Sequence, residues 1–184
     1  MSLSIRNDAA GYGAAARALH WLTAFAVLGA WLAGQLVDAF GRDWEPAVVF
    51  THVTLGVSLV ALLALRLAWR FADPPPAAEP SRFDPWAARA AKAGHWLLLA
   101  LLAGALFVGV VHQFSRGNAL PVFGLFEIAS PWERDRALMR STKEVHETLA
   151  NALLIVALLH AAAALAHHYV LKDRTLLRML PRRA

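Results

Sequence analysis

The chain has 184 residues, enough for one domain, and 58% of them are hydrophobic, with a formal net charge of +5 and no cysteine. That apolar share exceeds the ~45–50% of a soluble domain and points to lipid, while the missing thiols exclude disulfides, iron–sulfur ligation and C-x-x-C-H cofactor attachment. The positive charge sits beside apolar segments, so it reads as orientation in a membrane and not as a nucleic-acid surface.

Four stretches are long and apolar enough to span a bilayer, roughly residues 14–37, 47–69, 86–112 and 145–171, within a single domain over 1–184. None alternates with period two, which argues against a β-barrel. The expected fold class is therefore an all-α integral membrane protein, a four-helix bundle. The first span is long and its flank only weakly basic, unlike a cleaved leader. No internal repeat and no lipidation signature stand out.

The first connection, 38–46, is short and net acidic. The second, 71–85, contains Asp73-Pro74-Pro75-Pro76, which cannot continue a helix and should form a stiff extended turn. The third, 113–144, is long, with Gly117-Asn118 and Pro121 as turn signals and mixed charge from 131 onward that suits an interface. Arg66, Arg70, Arg82, Arg89 and Lys92 flank the second connection, and Lys172, Arg174, Arg178, Arg182 and Arg183 follow the last span. The first connection holds only Arg42; the third holds five basic residues, accompanied by four acids. The positive-inside rule then places both termini and the Pro-rich turn in the cytoplasm. Trp21, Trp44, Trp69, Trp86, Trp96 and Trp132 fall near predicted interfaces, as anchoring belts do.

The histidines carry the functional signal, because ionisable groups inside a membrane are costly. His146 and His160 lie fourteen residues apart on one apolar helix, which returns both rings to nearly one face with a rise of ~21 Å between them. Depth sorts the others around them. His52, His146 and His112 belong to an outer level, and His20, His160, His95 and His167 to an inner one. A haem iron takes one imidazole above its plane and one below, and helix bundles build such sites from facing side chains. The expected pairs are His52 with His146 for an outer haem and His20 with His160 for an inner haem. His95 either lines a quinone pocket at the inner level or replaces His20. His112, at a helix end, suits interfacial solvation.

His167 shares the face of His160, ~10 Å nearer the cytoplasm, where it can bind or protonate a quinone; His168 points ~100° away. Arg66 shares the face of His52 at the inner depth. It either pairs with a haem propionate or snorkels to the surface. Gly29, Ala33, Gly56, Gly104 and Ala150 leave room for a flat macrocycle between helices.

His20-Trp21, His52, Arg66, the loop Ser115-Arg-Gly-Asn118, the run His146-Glu-Thr-Leu-Ala-Asn151, and His160-Ala-Ala-Ala-Ala-Leu-Ala-His-His-Tyr169 together resemble the bacterial cytochrome b561 family. The closing run from Lys172 to Pro181 fits as well. Within that family the likeness is nearest the superoxide oxidase branch. The resemblance implies a bacterial inner-membrane cytochrome with two haem b groups and His20, His52, His146 and His160 as axial ligands. It also implies superoxide oxidation on the outer side and ubiquinone reduction near the inner haem, with His167 in the quinone site. The alternative is a haem-bearing anchor that passes electrons between a partner dehydrogenase or hydrogenase and the quinone pool. A zinc or ion-transport site fits poorly, because the spans hold almost no acid.

Overall fold

The computed structural model describes residues 4–9, 11–37, 39, 43–77, 79 and 86–181. Arg42, Arg82, Arg182 and Arg183, which enter the charge argument above, lie outside the described residues. Four long helices follow in chain order: α1 (Ala14–Leu36), α2 (Glu45–Ala72), α3 (Trp86–Ser115) and α4 (Arg136–Ala166). All four are long and apolar enough to cross a membrane. Their outward residues are bare in a way a soluble surface is not: Phe25, Phe107 and Leu158 are 66%, 70% and 61% exposed.

Local chemistry sets the helix ends. Pro46 sits in the first turn of α2, where its missing N–H costs nothing, and Glu45 meets the positive end of the helix dipole. Asp73 closes α2 by donating its backbone N–H to the Trp69 carbonyl at 2.8 Å, and three prolines then forbid another turn. Asp135 caps α4 by accepting from the N–H groups of Ala137 and Leu138 at 2.9 and 3.0 Å. That cap lets α4 start at Arg136, well before its apolar stretch, so residues 136–144, with Arg136, Arg140, Lys143 and Glu144, form about two helical turns at the mouth of the bundle. The rest of the third connection is a two-stranded antiparallel hairpin, β1 (Leu120–Val122) and β2 (Phe126–Ile128). Its turn places both Phe123 and Gly124 at positive φ, 53° and 70°.

The helices pack as two hairpins, α1 on α2 and α3 on α4. Each helix contributes one buried apolar residue to a central layer: Ala30, Leu59, Leu102 and Leu153. Trp31 Nε1 donates to Asn151 Oδ1 at 2.9 Å and joins α1 to α4. The amino-terminal segment, the Pro-rich turn and the carboxy-terminal tail meet at one end of the bundle. There Asn7 bonds Asp73 and Pro74, Trp21 Nε1 donates to the Met179 carbonyl at 2.8 Å, and Arg178 reaches Ala77 and Glu79.

His20, Ala30 and Gly34 on α1 recur at the same spacing as His95, Ala105 and Gly109 on α3. On the partner helices, His52, Leu59 and Arg66 of α2 fall at the same spacing as His146, Leu153 and His160 of α4. The two hairpins are built on one plan although their sequences share little else.

Candidate functional site

The outer level is formed by His52 of α2 and His146 of α4, whose ring centroids stand 6.0 Å apart with planes at 85°. Each ring is anchored on the neighbouring helix of its own hairpin. His52 Nδ1 meets the Ala30 carbonyl at 2.8 Å, and His146 Nδ1 meets the Ala105 carbonyl at 2.9 Å. A backbone carbonyl only accepts, so Nδ1 carries the proton in both rings and Nε2 is left as the free base. That is the tautomer in which an imidazole ligates a metal while its other nitrogen is held by the protein.

Glycine makes the anchor possible. A Cβ at Gly34 would come within 3.2 Å of His52 Cε1, and one at Gly109 within 3.0 Å of His146 Cε1 and 3.2 Å of its Nδ1. Each glycine lies four residues after the accepting alanine, so its lack of a side chain opens that carbonyl to the ring. A cavity of about 1060 Å³ runs past the rings to the outer mouth, lined by apolar residues of all four helices and by His52, His112 and His146. Gly56 and Ala150 also line it, and a Cβ at Gly56 would meet nothing within 4 Å. At the mouth stand Arg116, Arg134, Arg136, Arg140 and Lys143, with Glu45 and Glu147.

The residues fit a bis-imidazole haem. Two metal–nitrogen bonds of about 2 Å, plus about 1 Å from each nitrogen to its ring centre, call for centroids about 6 Å apart. His52 and His146 meet that spacing with both Nε2 atoms free. At the inner level His20 and His160 stand 6.3 Å apart, and His95 lies 5.3 Å from His160. The geometry thus brings His95 into the same cluster as the expected pair. His20 and His160 are half-buried, whereas His95 is exposed. Arg66 stands within electrostatic reach of all three rings, and Arg70 lies over the Trp96 ring at 5.2 Å.

Two other histidines have partners of their own. His112 Nδ1 pairs with Thr142 Oγ1 at 3.1 Å, beside the fully buried Ser115, so it ties α3 to α4 as well as lining the outer cavity. His167 does not join the inner rings by any ring contact. Its Nδ1 meets Asp173 Oδ2 at 2.5 Å. Asp173 is a residue that the sequence did not single out. Gly34, Gly109 and the two accepting alanines were equally hidden; the signal that finds them is the pattern Ala-x-x-x-Gly recurring with a histidine fourteen residues before each glycine.

The family pattern for prokaryotic cytochrome b561 matches residues 11–182. A probable superoxide oxidase CybB of Yersinia pestis is 34% identical over 167 residues, which cover 90% of this chain and 93% of the relative. Cytochrome b561 homolog 2 of Escherichia coli K12 is 31% identical over 180 residues, 97% of this chain and 95% of the relative. A cytochrome b562 of Cereibacter sphaeroides is 32% identical over 176 residues, 92% and 95% of the two chains.

Proposed function

The chain belongs to the prokaryotic cytochrome b561 family, and from that membership we propose that it is a two-haem superoxide:ubiquinone oxidoreductase of the bacterial inner membrane. Superoxide gives up its electron at the periplasmic end, and ubiquinone is reduced at the cytoplasmic end. In this reading both termini and the Pro-rich turn face the cytoplasm. The observation that carries it is the pair of anchored imidazoles at the outer level, repeated as a ring cluster fourteen residues deeper. The similarity to a probable superoxide oxidase supports the choice of donor.

His52 and His146 would hold the outer haem, and His20 and His160 the inner one. Haem b, when bound, supplies one-electron transfer. Two imidazoles on one iron leave no coordination position for dioxygen, so superoxide reacts without ligation. The five cations at the outer mouth draw a small anion in. The buried Leu59, Leu102 and Leu153 lie between the two levels. Arg66 at the inner level offers a propionate partner, and His95 lines the quinone side. His167, nearer the cytoplasm, passes a proton to the quinone.

The test is stopped-flow mixing of the oxidised, haem-loaded protein with superoxide, followed at the haem absorption. Haem reduction within the mixing experiment, reversed on adding a short-chain ubiquinone, is the expected result. Haem that stays oxidised with superoxide but is reduced by a copurifying dehydrogenase or hydrogenase subunit would replace this reading with a membrane anchor.

A further inference from the structure

The end of α4 departs from regular geometry where the proposed quinone-side histidine lies. Residues His167–Leu171 form a single π-helical turn, and Lys172 ends it in the left-handed region at φ 58°. Widened turns of this kind cost regular hydrogen bonding and recur at functional positions. The fold-back brings Asp173 against the residue that opens the turn. The Asp173 N–H donates to the His167 carbonyl at 3.1 Å, and Asp173 Oδ2 lies 2.5 Å from His167 Nδ1. The other carboxylate oxygen, Oδ1, accepts from the Thr175 N–H at 2.9 Å. Both oxygens are thus committed, one to the turn and one to the ring. Burial alone would push the Asp173 carboxyl up, but the hydrogen bonds from His167 and Thr175 outweigh it and hold the group below the usual carboxylate range. An ionised carboxylate only accepts, so His167 Nδ1 is the donor. The His167 and Asp173 side chains are 30% and 17% exposed, enough for water to reach the pair.

We propose that Asp173 is a positioning residue for quinone protonation: it anchors His167 through Nδ1 and so presents Nε2 to a quinone carbonyl oxygen. This rests on the reading of His167 as the quinone-side histidine. In the overall reaction two superoxide anions each lose one electron and leave as dioxygen. The quinone gains those two electrons and two protons to become quinol. One proton leaves Nε2 as the new O–H bond forms at the carbonyl oxygen, and Nε2 is reprotonated from cytoplasmic water. The second proton comes from the same water. Throughout, Nδ1–H stays on the Asp173 carboxylate, which holds the ring's orientation and its tautomer, the arrangement an acid–base histidine needs.

The experiment mixes chemically pre-reduced, haem-loaded protein with a short-chain ubiquinone and follows haem reoxidation over a range of quinone concentrations. Asp173→Asn keeps an acceptor for Thr175 but turns an amide N–H toward Nδ1, which imposes the opposite tautomer. It is expected to lower the limiting rate roughly ten- to hundredfold, with an unchanged half-saturating quinone concentration, unchanged haem spectra and unchanged reduction by superoxide. Asp173→Glu restores part of the rate. A wild-type limiting rate in Asp173→Asn, beside a slowed His167→Gln, overturns the inference and leaves the quinone site standing. A wild-type rate in His167→Gln overturns both. A change confined to the half-saturating concentration also overturns it, by assigning Asp173 to binding. Should Asp173→Asn not assemble, the 15N resonances of His167 in the wild-type protein decide: a protonated, hydrogen-bonded Nδ1 is expected, and a deprotonated Nδ1 refutes the assignment.

Discussion

His146→Ala is expected to lower the haem content from two per chain to one, halving the haem absorbance per protein while the inner haem keeps its spectrum. The expectation follows from the construction of the outer level. His146 is one of two facing rings, and its Nε2 is freed because Nδ1 is spent on the Ala105 carbonyl. With the ring gone, His52 alone cannot fill both axial positions. His112 also lines the cavity, but its Nδ1 is engaged by Thr142 and its ring belongs to the mouth. A companion variant reaches the same site without touching the ligand. Gly109→Val places a Cβ 3.0 Å from His146 Cε1, plus two methyl groups, and forces the ring off its carbonyl. It should therefore lose the outer haem too, whereas Gly94→Val, where a Cβ meets nothing within 4 Å, should retain both. Two haems in purified His146→Ala protein would refute the outer pairing. Haem-to-protein ratio by pyridine haemochrome, on purified variants, is the measurement.

Charge at the outer mouth should set how fast superoxide arrives. Five cations face two carboxylates there, and one of those, Glu147, lies 3.7 Å from Lys143 in an exposed pair that salt weakens. An excess of one sign of charge around an opening with low-dielectric walls focuses the field on a small anion. Replacing Arg134 and Arg140 together by glutamine is expected to slow haem reduction by superoxide about tenfold at low ionic strength. The deficit should shrink as salt approaches ~0.1 M, where the Debye length falls to about 10 Å. Haem content and the rate of quinone reduction should not change, because neither residue touches an imidazole pair or the opposite end of the bundle. Stopped-flow rates over a salt series distinguish this from damage to the site: an equal loss at every salt concentration would remove the steering argument.

The four helices were legible because lipid imposes a simple demand, about twenty consecutive apolar residues, and each stretch meets it. The depth of the histidines was legible for a similar reason, since fourteen residues is close to a whole number of helical turns. What could not be read were features that depend on which helix packs against which. Gly34 and Gly109 look like any small residues of a membrane bundle until His52 and His146 are seen lying on them. The Ala30 and Ala105 carbonyls carry no side-chain signal at all. His95 shows why spacing leaves alternatives: it occupies on α3 the place that His20 holds on α1, and both stand near His160. The early start of α4 escaped hydropathy because Asp135 caps a turn of charged residues that are good helix formers but not apolar. The hairpin at 120–128 escaped because three-residue strands are too short to show alternation. Asp173 was hidden because only the widened turn at His167 folds it back onto the ring six residues before it.

The central claim is that imidazoles from different helices hold two haem b groups, one at each level of the bilayer. A redox titration of the wild-type protein, purified from cells supplied with haem precursor and followed by optical and low-temperature electron paramagnetic resonance spectra, tests it most directly. Two one-electron components of equal amplitude are expected, both low-spin as six-coordinate bis-imidazole iron gives. A single component, a high-spin signal accounting for half the iron, or a colourless preparation would contradict it.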